Sequence, residues 1–192
     1  MNNATTFVGL DVHARSIKAC AFAPATGEIE RKSLGYEPGE LASWIQGLAQ
    51  PAKCVYESGV TGFHLCRELR AMGADCAIGA VSKMHRPAAD RGRKADRRDA
   101  HFLAAQLALG VVTEVHVPDP ECEGARDLTR ALADARDDAV RAKQRLSKFL
   151  LRHGHIYDER NAAGQRKSRW TRDFWAWVGR IDLGDASATA TL

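Results

Sequence analysis

The sequence predicts an α/β fold, a mixed five-stranded sheet with flanking helices, joined to a long coiled-coil-type helix. Three observations carry this. Apolar runs and turn residues fall in the order β-β-β-α-β-α-β. The first run is apolar almost throughout, as a strand buried on both faces has to be. A seven-residue apolar repeat then holds from Leu128 to Phe149.

Taken in order, Thr6 to Val12 forms the central strand and carries a carboxylate, Asp11, at its end. Ser16 to Ala23 forms a second strand, and Pro24-Ala25-Thr26-Gly27 supplies the turn. Glu28 to Leu34 returns as a more polar strand nearer an edge. Pro38-Gly39 opens a helix whose Leu41, Trp44, Ile45 and Leu48 share one face at spacings of three and four. Pro51 ends it. Ala52 to Glu57 is a short strand finishing on a second carboxylate. Thr61 is placed to cap a helix that buries Phe63, Cys66, Leu69 and Met72, with Gly73 just past its end. Ala74 to Ala80 is the fifth strand.

A basic loop, Arg86 to Ala95, leads to a short helix from Asp96 to Leu109, ended by Gly110. Pro118 and Pro120 precede the long helix, Glu121 to about Arg152, which Gly154 stops. Its seam is Leu128, Leu132, Ala135, Ala139, Ala142, Leu146 and Phe149. Such a helix runs roughly 50 Å at ~1.5 Å per residue, too long to lie under one small sheet. A coiled coil, within or between chains, is expected, with oligomerisation through those seven positions. The organisation predicted is residues 1–118 for the sheet and its helices, 119–155 for the heptad helix and 156–192 for a basic segment containing Trp170, Trp175 and Trp177.

Composition narrows the function classes. With 45% hydrophobic and 27% charged residues in 192, the chain is globular, one domain and an appendage. The start has neither a signal peptide's basic-then-apolar pattern nor the roughly 20 apolar residues of a membrane span, so a cytosolic chain is expected. Cys20, Cys54, Cys66, Cys76 and Cys122 are odd in number and unpaired in spacing, which predicts buried free thiols rather than a disulfide framework. His153-Gly154-His155 has no partner ligand at metal spacing. Charge is uneven. Residues 1–60 carry five basic and six acidic groups, residues 83–101 seven and three, and residues 141–172 ten and two. A neutral front and a basic back fit a polyanion partner, although a solvated helix face produces the same arithmetic.

Four acids then stand out. Asp11 and Glu57 end strands that lie side by side if the fourth strand runs parallel to the first. Asp96 and Asp99, three apart on a helix, share a face. Converging carboxylates repel one another and are tolerated where divalent cations neutralise them. Mg²⁺, with Mn²⁺ as a substitute, takes oxygen ligands and leaves positions for phosphate oxygens. Lys83, Arg86, Arg91, Arg93, Lys94, Arg97 and Arg98 surround the helical acids as candidate nucleic-acid contacts, and Arg166, Lys167 and Arg169 repeat the pattern later. This is a ribonuclease H-like arrangement.

The segments Gly9-Leu10-Asp11-Val12-His13, Tyr56-Glu57-Ser58-Gly59, Thr61-Gly62-Phe63 and Lys94-Ala95-Asp96-Arg97-Arg98-Asp99-Ala100 resemble the N-terminal half of insertion-sequence 110 family transposases, as does Phe149-Leu150-Leu151-Arg152-His153-Gly154. The resemblance covers roughly residues 5 to 180. It implies a RuvC-like domain in which Asp11, Glu57, Asp96 and Asp99 are the catalytic, metal-binding acids. It also implies a coiled-coil insertion used in assembly, DNA as substrate and a guide RNA from the element. Val60 and Ala95 depart from the family pattern, and so does length: family members carry a C-terminal domain with a proposed nucleophilic serine, and this sequence stops at Leu192 without it, as expected of either an excised N-terminal fragment or a truncated gene product. Two other readings share the acids: a non-catalytic nucleic-acid-binding and oligomerisation module, and a RuvC-type junction endonuclease. An actin-like sugar kinase has the same strand order but needs a Gly-rich phosphate turn where this chain has His13-Ala14-Arg15.

Overall fold

The computed structural model describes residues 4–83 and 96–191, with only the backbone described at residues 81, 96–98 and 191. Its sheet has strands β1 (Thr6–Val12), β2 (Ser16–Ala23), β3 (Glu28–Gly35), β4 (Ala52–Glu57) and β5 (Asp75–Gly79) in the order β3-β2-β1-β4-β5. β1, β2 and β3 pair antiparallel, whereas β4 runs parallel to β1 and β5 parallel to β4. The mixed sheet is thus as the sequence predicts, with the apolar β1 at its centre. β3 lies at one edge, and Leu34 is its only buried side chain. Gly27, at φ 73°, adopts the left-handed conformation that closes the β2–β3 turn.

Alternation along the strands divides the sheet into two faces. Val8, Leu10, Cys54, Tyr56, Cys76 and Ile78 pack on one face, under α1 (Pro38–Gly47) and α2 (His64–Ala71). Leu41, Ala42 and Ile45 of α1 and Leu65, Cys66 and Leu69 of α2 complete that core. Phe7, Val55 and Ala77 lie on the other face, under Leu103 and Leu107 of α3 (Asp96–Ala108).

Two local expectations need correction. Thr61 does not cap α2; Phe63 precedes that helix in αR geometry and makes no capping side-chain hydrogen bond. Met72 is 37% exposed, because α2 ends at Ala71 and Gly73 turns the chain away at φ 87°. Four of the five thiols are buried, but Cys122 is exposed near the start of the long helix.

The chain separates into two compact units, Met1–Asp119 and Pro120–Leu192. The second contains α4 (Pro120–Arg152), α5 (Arg172–Val178) and α6 (Ala186–Thr191). Its small core joins Leu150 at the end of α4 to Tyr157, Phe174 and Val178, with Leu146, Trp170, Trp177 and Ile181 around them. Thr171 caps α5, its hydroxyl accepting from the Phe174 amide. Most of α4 before Leu146 is exposed.

Candidate functional site

The two strand-end acids are placed by register. β1 and β4 are paired up to Leu10 and Tyr56, so Asp11 and Glu57 occupy the next rung. Leu10 and Tyr56 belong to the core under α1 and α2, and alternation therefore assigns Asp11 and Glu57 to the face under α3. Both side chains are half-buried, that of Asp11 at 20% exposure.

Gly9, two residues before Asp11 on the same face, fixes how closely α3 approaches. A Cβ at Gly9 would lie 2.0 Å from the Ala100 carbonyl oxygen and 2.6 Å from the Ala104 nitrogen. Strand backbone and helix backbone are in direct contact there, which only glycine permits. α3 runs antiparallel to β1: Leu103 and Leu107 share a cluster with Phe7, and Ala100 sits over Gly9. The turn before Ala100 holds Asp96 and Asp99, and it therefore points to the Asp11 end of β1. By helical spacing, positions 96 and 99 lie one turn before Ala100 and Leu103 of the buried stripe, and Asp99 is half-buried there.

The structure brings Asp11 and Glu57 side by side at the ends of adjacent strands and directs the first turn of α3 to the same end of the sheet. Among the described residues, however, no group of three His, Cys, Asp or Glu side chains is placed to hold a metal ion. The Asp96 side chain lies outside the described residues. So do Arg86, Arg91, Arg93 and Lys94 and the side chains of Arg97 and Arg98. Lys83 is exposed at the end of a 3-10 turn.

Neighbouring groups hold the site's rim. His13 Nε2 is 3.1 Å from Asp11 Oδ2. The buried Tyr56 donates its hydroxyl to the Gly62 carbonyl at 2.9 Å and accepts from the Cys66 amide at 3.3 Å, pinning the turn that follows Glu57. Burial drives the Tyr56 phenol well above its ordinary pKa, so it remains a neutral donor. The Ser58 amide donates to the Gly79 carbonyl, anchoring the start of that turn to β5. Sequence reasoning missed His13 as a partner of Asp11 and missed Lys18, which lies opposite Asp11 in register. The i, i+2 spacing of Asp11 and His13 near a strand end was the available signal for the first. The second required the β1–β2 register.

The later basic residues are partly committed within their own unit. Arg166 pairs with Asp158, and Lys167 with Asp173 at 2.8 Å and with Glu159 at 3.7 Å. The hydrogen bond to Asp173 raises the Lys167 pKa, and the same bond lowers that of Asp173. Arg169 instead borders an open apolar cavity with Tyr157, Phe174 and Trp177. The heptad seam is also split. Leu128 and Leu132 are 74% and 50% exposed and Ala135, Ala139 and Ala142 are exposed, whereas Leu146 packs against the unit's own core. Phe149 is half-buried, its ring 4.6 Å from that of His153.

Comparison with known proteins places these features in a family context. The sequence profile of the insertion-sequence 110 DEDD family, described as a transposase, matches residues 8–154. A protein of Sinorhizobium fredii named as transposase y4qE is 34% identical over 175 residues, covering 87% of this chain and 44% of that protein. The "Transposase for insertion sequence element IS1533" of Leptospira borgpetersenii is 33% identical over 151 residues, covering 76% and 43% respectively. The chain spans less than half the length of these two curated relatives.

Proposed function

The chain belongs to the insertion-sequence 110 family of DEDD transposases, and on that premise we propose that it supplies the metal-binding carboxylates with which such a transposase acts on DNA phosphodiesters. The observation that carries this reading is the side-by-side placement of Asp11 and Glu57 on adjacent strands beneath an α3 whose first turn bears Asp96 and Asp99. An all-carboxylate donor set at a half-exposed sheet end suits a hard divalent cation, Mg²⁺ or Mn²⁺, better than a thiophilic one. Bound there, the cation neutralises the acids and polarises phosphodiester oxygens. Asp11 and Glu57 form the fixed half of the site, because their backbones belong to the buried sheet. Asp96 and Asp99 form the half that docks through the Gly9 contact. His13 is a positioning residue, holding Asp11 Oδ2.

DNA is the partner proposed, held through its backbone. The two basic stretches hold no Asn or Gln between residues 83 and 101, and only Gln144, Asn161 and Gln165 between 141 and 172. Amide side chains that read adenine are therefore scarce, and sequence choice is assigned to pairing with a guide RNA of the element. Residues 1–118 act as the RuvC-like part, 119–155 as the assembly helix and 156–192 as a basic continuation toward a serine-bearing domain. The exposed part of the seam serves oligomerisation. No described helix is long and apolar enough to cross a membrane.

A second reading, a non-catalytic binding and assembly module, draws on the exposed Leu128 and Leu132 of the seam. Calorimetric titration with Mg²⁺ separates the two. Saturable binding that Asp11→Asn and Glu57→Gln each abolish supports the metal site; heats identical to buffer support the module.

A further inference from the structure

On the same sheet face, β2 and β3 carry a basic groove that the four acids do not account for. A cavity of about 260 Å³ is lined by Lys18, Ala19, Arg31, Lys32, Ser33 and, from α3, Ala100. That is roughly nine times the ~30 Å³ share of one liquid water, enough for a phosphodiester with part of its sugar. Register explains the assembly. Lys18 pairs with Asp11 on one side and Ser33 on the other, and Arg31 pairs with Cys20, which itself lies opposite Gly9. Lys18, Arg31 and Ser33 therefore share the face on which α3 rests.

The charges in this groove are not spent on one another. The Lys18 ammonium donates to the Ser33 hydroxyl on β3 rather than to Asp11 on β1, and it has two further protons to give. Arg31 is exposed, and among the described residues neither Arg31 nor Lys18 makes an ion pair; Lys32 is engaged by Glu40 at 3.3 Å. Among the described residues, no acid lines the cavity. Two cations and a hydroxyl donor, converging on one solvent-open cavity, form an anion subsite. β3 lies two strand spacings from β1, roughly 10 Å, so an anion in the groove is beside the carboxylate end and outside it.

We infer that Lys18, Arg31 and Ser33 form a phosphate subsite that grips the DNA backbone next to the phosphodiester presented to Asp11 and Glu57. The inference rests on the DNA reading proposed above and extends it to residues that neither the acidic motif nor the two basic stretches contain. Arg31 supplies the planar donor fork suited to phosphate oxygens, and Lys18 and Ser33 supply a donor pair on the adjacent strand. The contact is to backbone and independent of base sequence.

The test is equilibrium binding of a labelled DNA duplex of arbitrary sequence to the whole chain, in EDTA, across a salt series. Lys18→Gln with Arg31→Gln is expected to weaken binding at least tenfold at low salt, equally for unrelated sequences. It should also flatten the slope of log affinity against log salt by about 0.9 per lost phosphate contact. The charge-keeping exchange Lys18→Arg with Arg31→Lys should restore most of the slope. If the double variant fails to fold, Arg31→Gln alone, at an exposed edge position, carries the test. An unchanged slope in a folded variant overturns the subsite while leaving the carboxylate reading intact. Failure of the unaltered chain to bind DNA at all overturns the DNA reading beneath both. Loss of affinity for an RNA duplex only, with DNA unaffected, assigns the groove to RNA and overturns the proposal as stated.

Discussion

Gly9→Ala is the substitution that most directly probes how α3 is seated. The added Cβ would lie 2.0 Å from the Ala100 oxygen, 2.6 Å from the Ala104 nitrogen and 2.8 Å from the Leu103 Cβ. Two of these atoms are helix backbone and cannot rotate away. The Ala100 carbonyl has to retreat by about 1.4 Å to reach ordinary contact, and α3 must move with it, loosening Leu103 and Leu107 from Phe7, Val55 and Ala77. Overpacking a core typically costs about 1–3 kcal/mol, and a backbone collision belongs at the upper end. A loss of about 3 kcal/mol is therefore expected, concentrated in α3 and β1. Hydrogen exchange read by mass spectrometry localises it: peptides from residues 96–108 and 6–12 should lose protection by about two orders of magnitude. Mn²⁺ affinity should fall with it, since the turn bearing Asp96 and Asp99 is displaced. Gly39→Ala, in α1 with nothing within 4 Å of the new Cβ, is the control and should be neutral or slightly stabilising. Unchanged protection of α3 in Gly9→Ala would refute the seating argument.

Further outcomes follow from individual residues. Tyr56→Phe removes the donor to Gly62 and the acceptor of the Cys66 amide, and should cost about 1–3 kcal/mol in urea denaturation while weakening divalent binding through the turn after Glu57. Native alkylation should modify Cys122 alone and denatured alkylation all five thiols, because the other four are buried. Contact with Cys76 together with burial raises the Cys66 thiol, hydrogen bonding with Cys54 raises Cys76, and burial raises Cys20. With folded values above the ordinary 9.0, their contribution to stability is complete below about pH 9 and declines as pH rises beyond it, which denaturation midpoints measured from pH 7 to 10.5 will show. Leu128→Asp with Leu132→Asp alters only exposed seam positions, so it should abolish association in sedimentation velocity without lowering helicity.

Strand order and the pairing of Asp11 with Glu57 were legible in the sequence because β1 is continuously apolar and each βα unit is punctuated by Pro51, Gly73 or Gly110. Periodicity marked α4 equally well, yet it did not show that Leu146 would be drawn into a core with Tyr157 and Phe174 while Leu128 stayed exposed. That division depends on a chain reversal at Gly154, whose consequence is tertiary. Thr61 has the residue type and position of a cap, yet the side chain of Tyr56, from the preceding strand, anchors the entry to α2. Lys18 and Arg31 drew no notice as single charges in an acidic-leaning segment. Only the register across three strands collects them on one face.

The central claim is that four carboxylates from two strands and one helix meet around a divalent ion. Anomalous diffraction from crystals of this chain soaked in Mn²⁺ tests it most directly. Manganese density is expected between Asp11, Glu57 and at least one of Asp96 and Asp99, and is expected to be absent in Asp11→Asn crystals. Ordered side chains at all four positions with no manganese between them, under conditions that saturate a control protein, would contradict it.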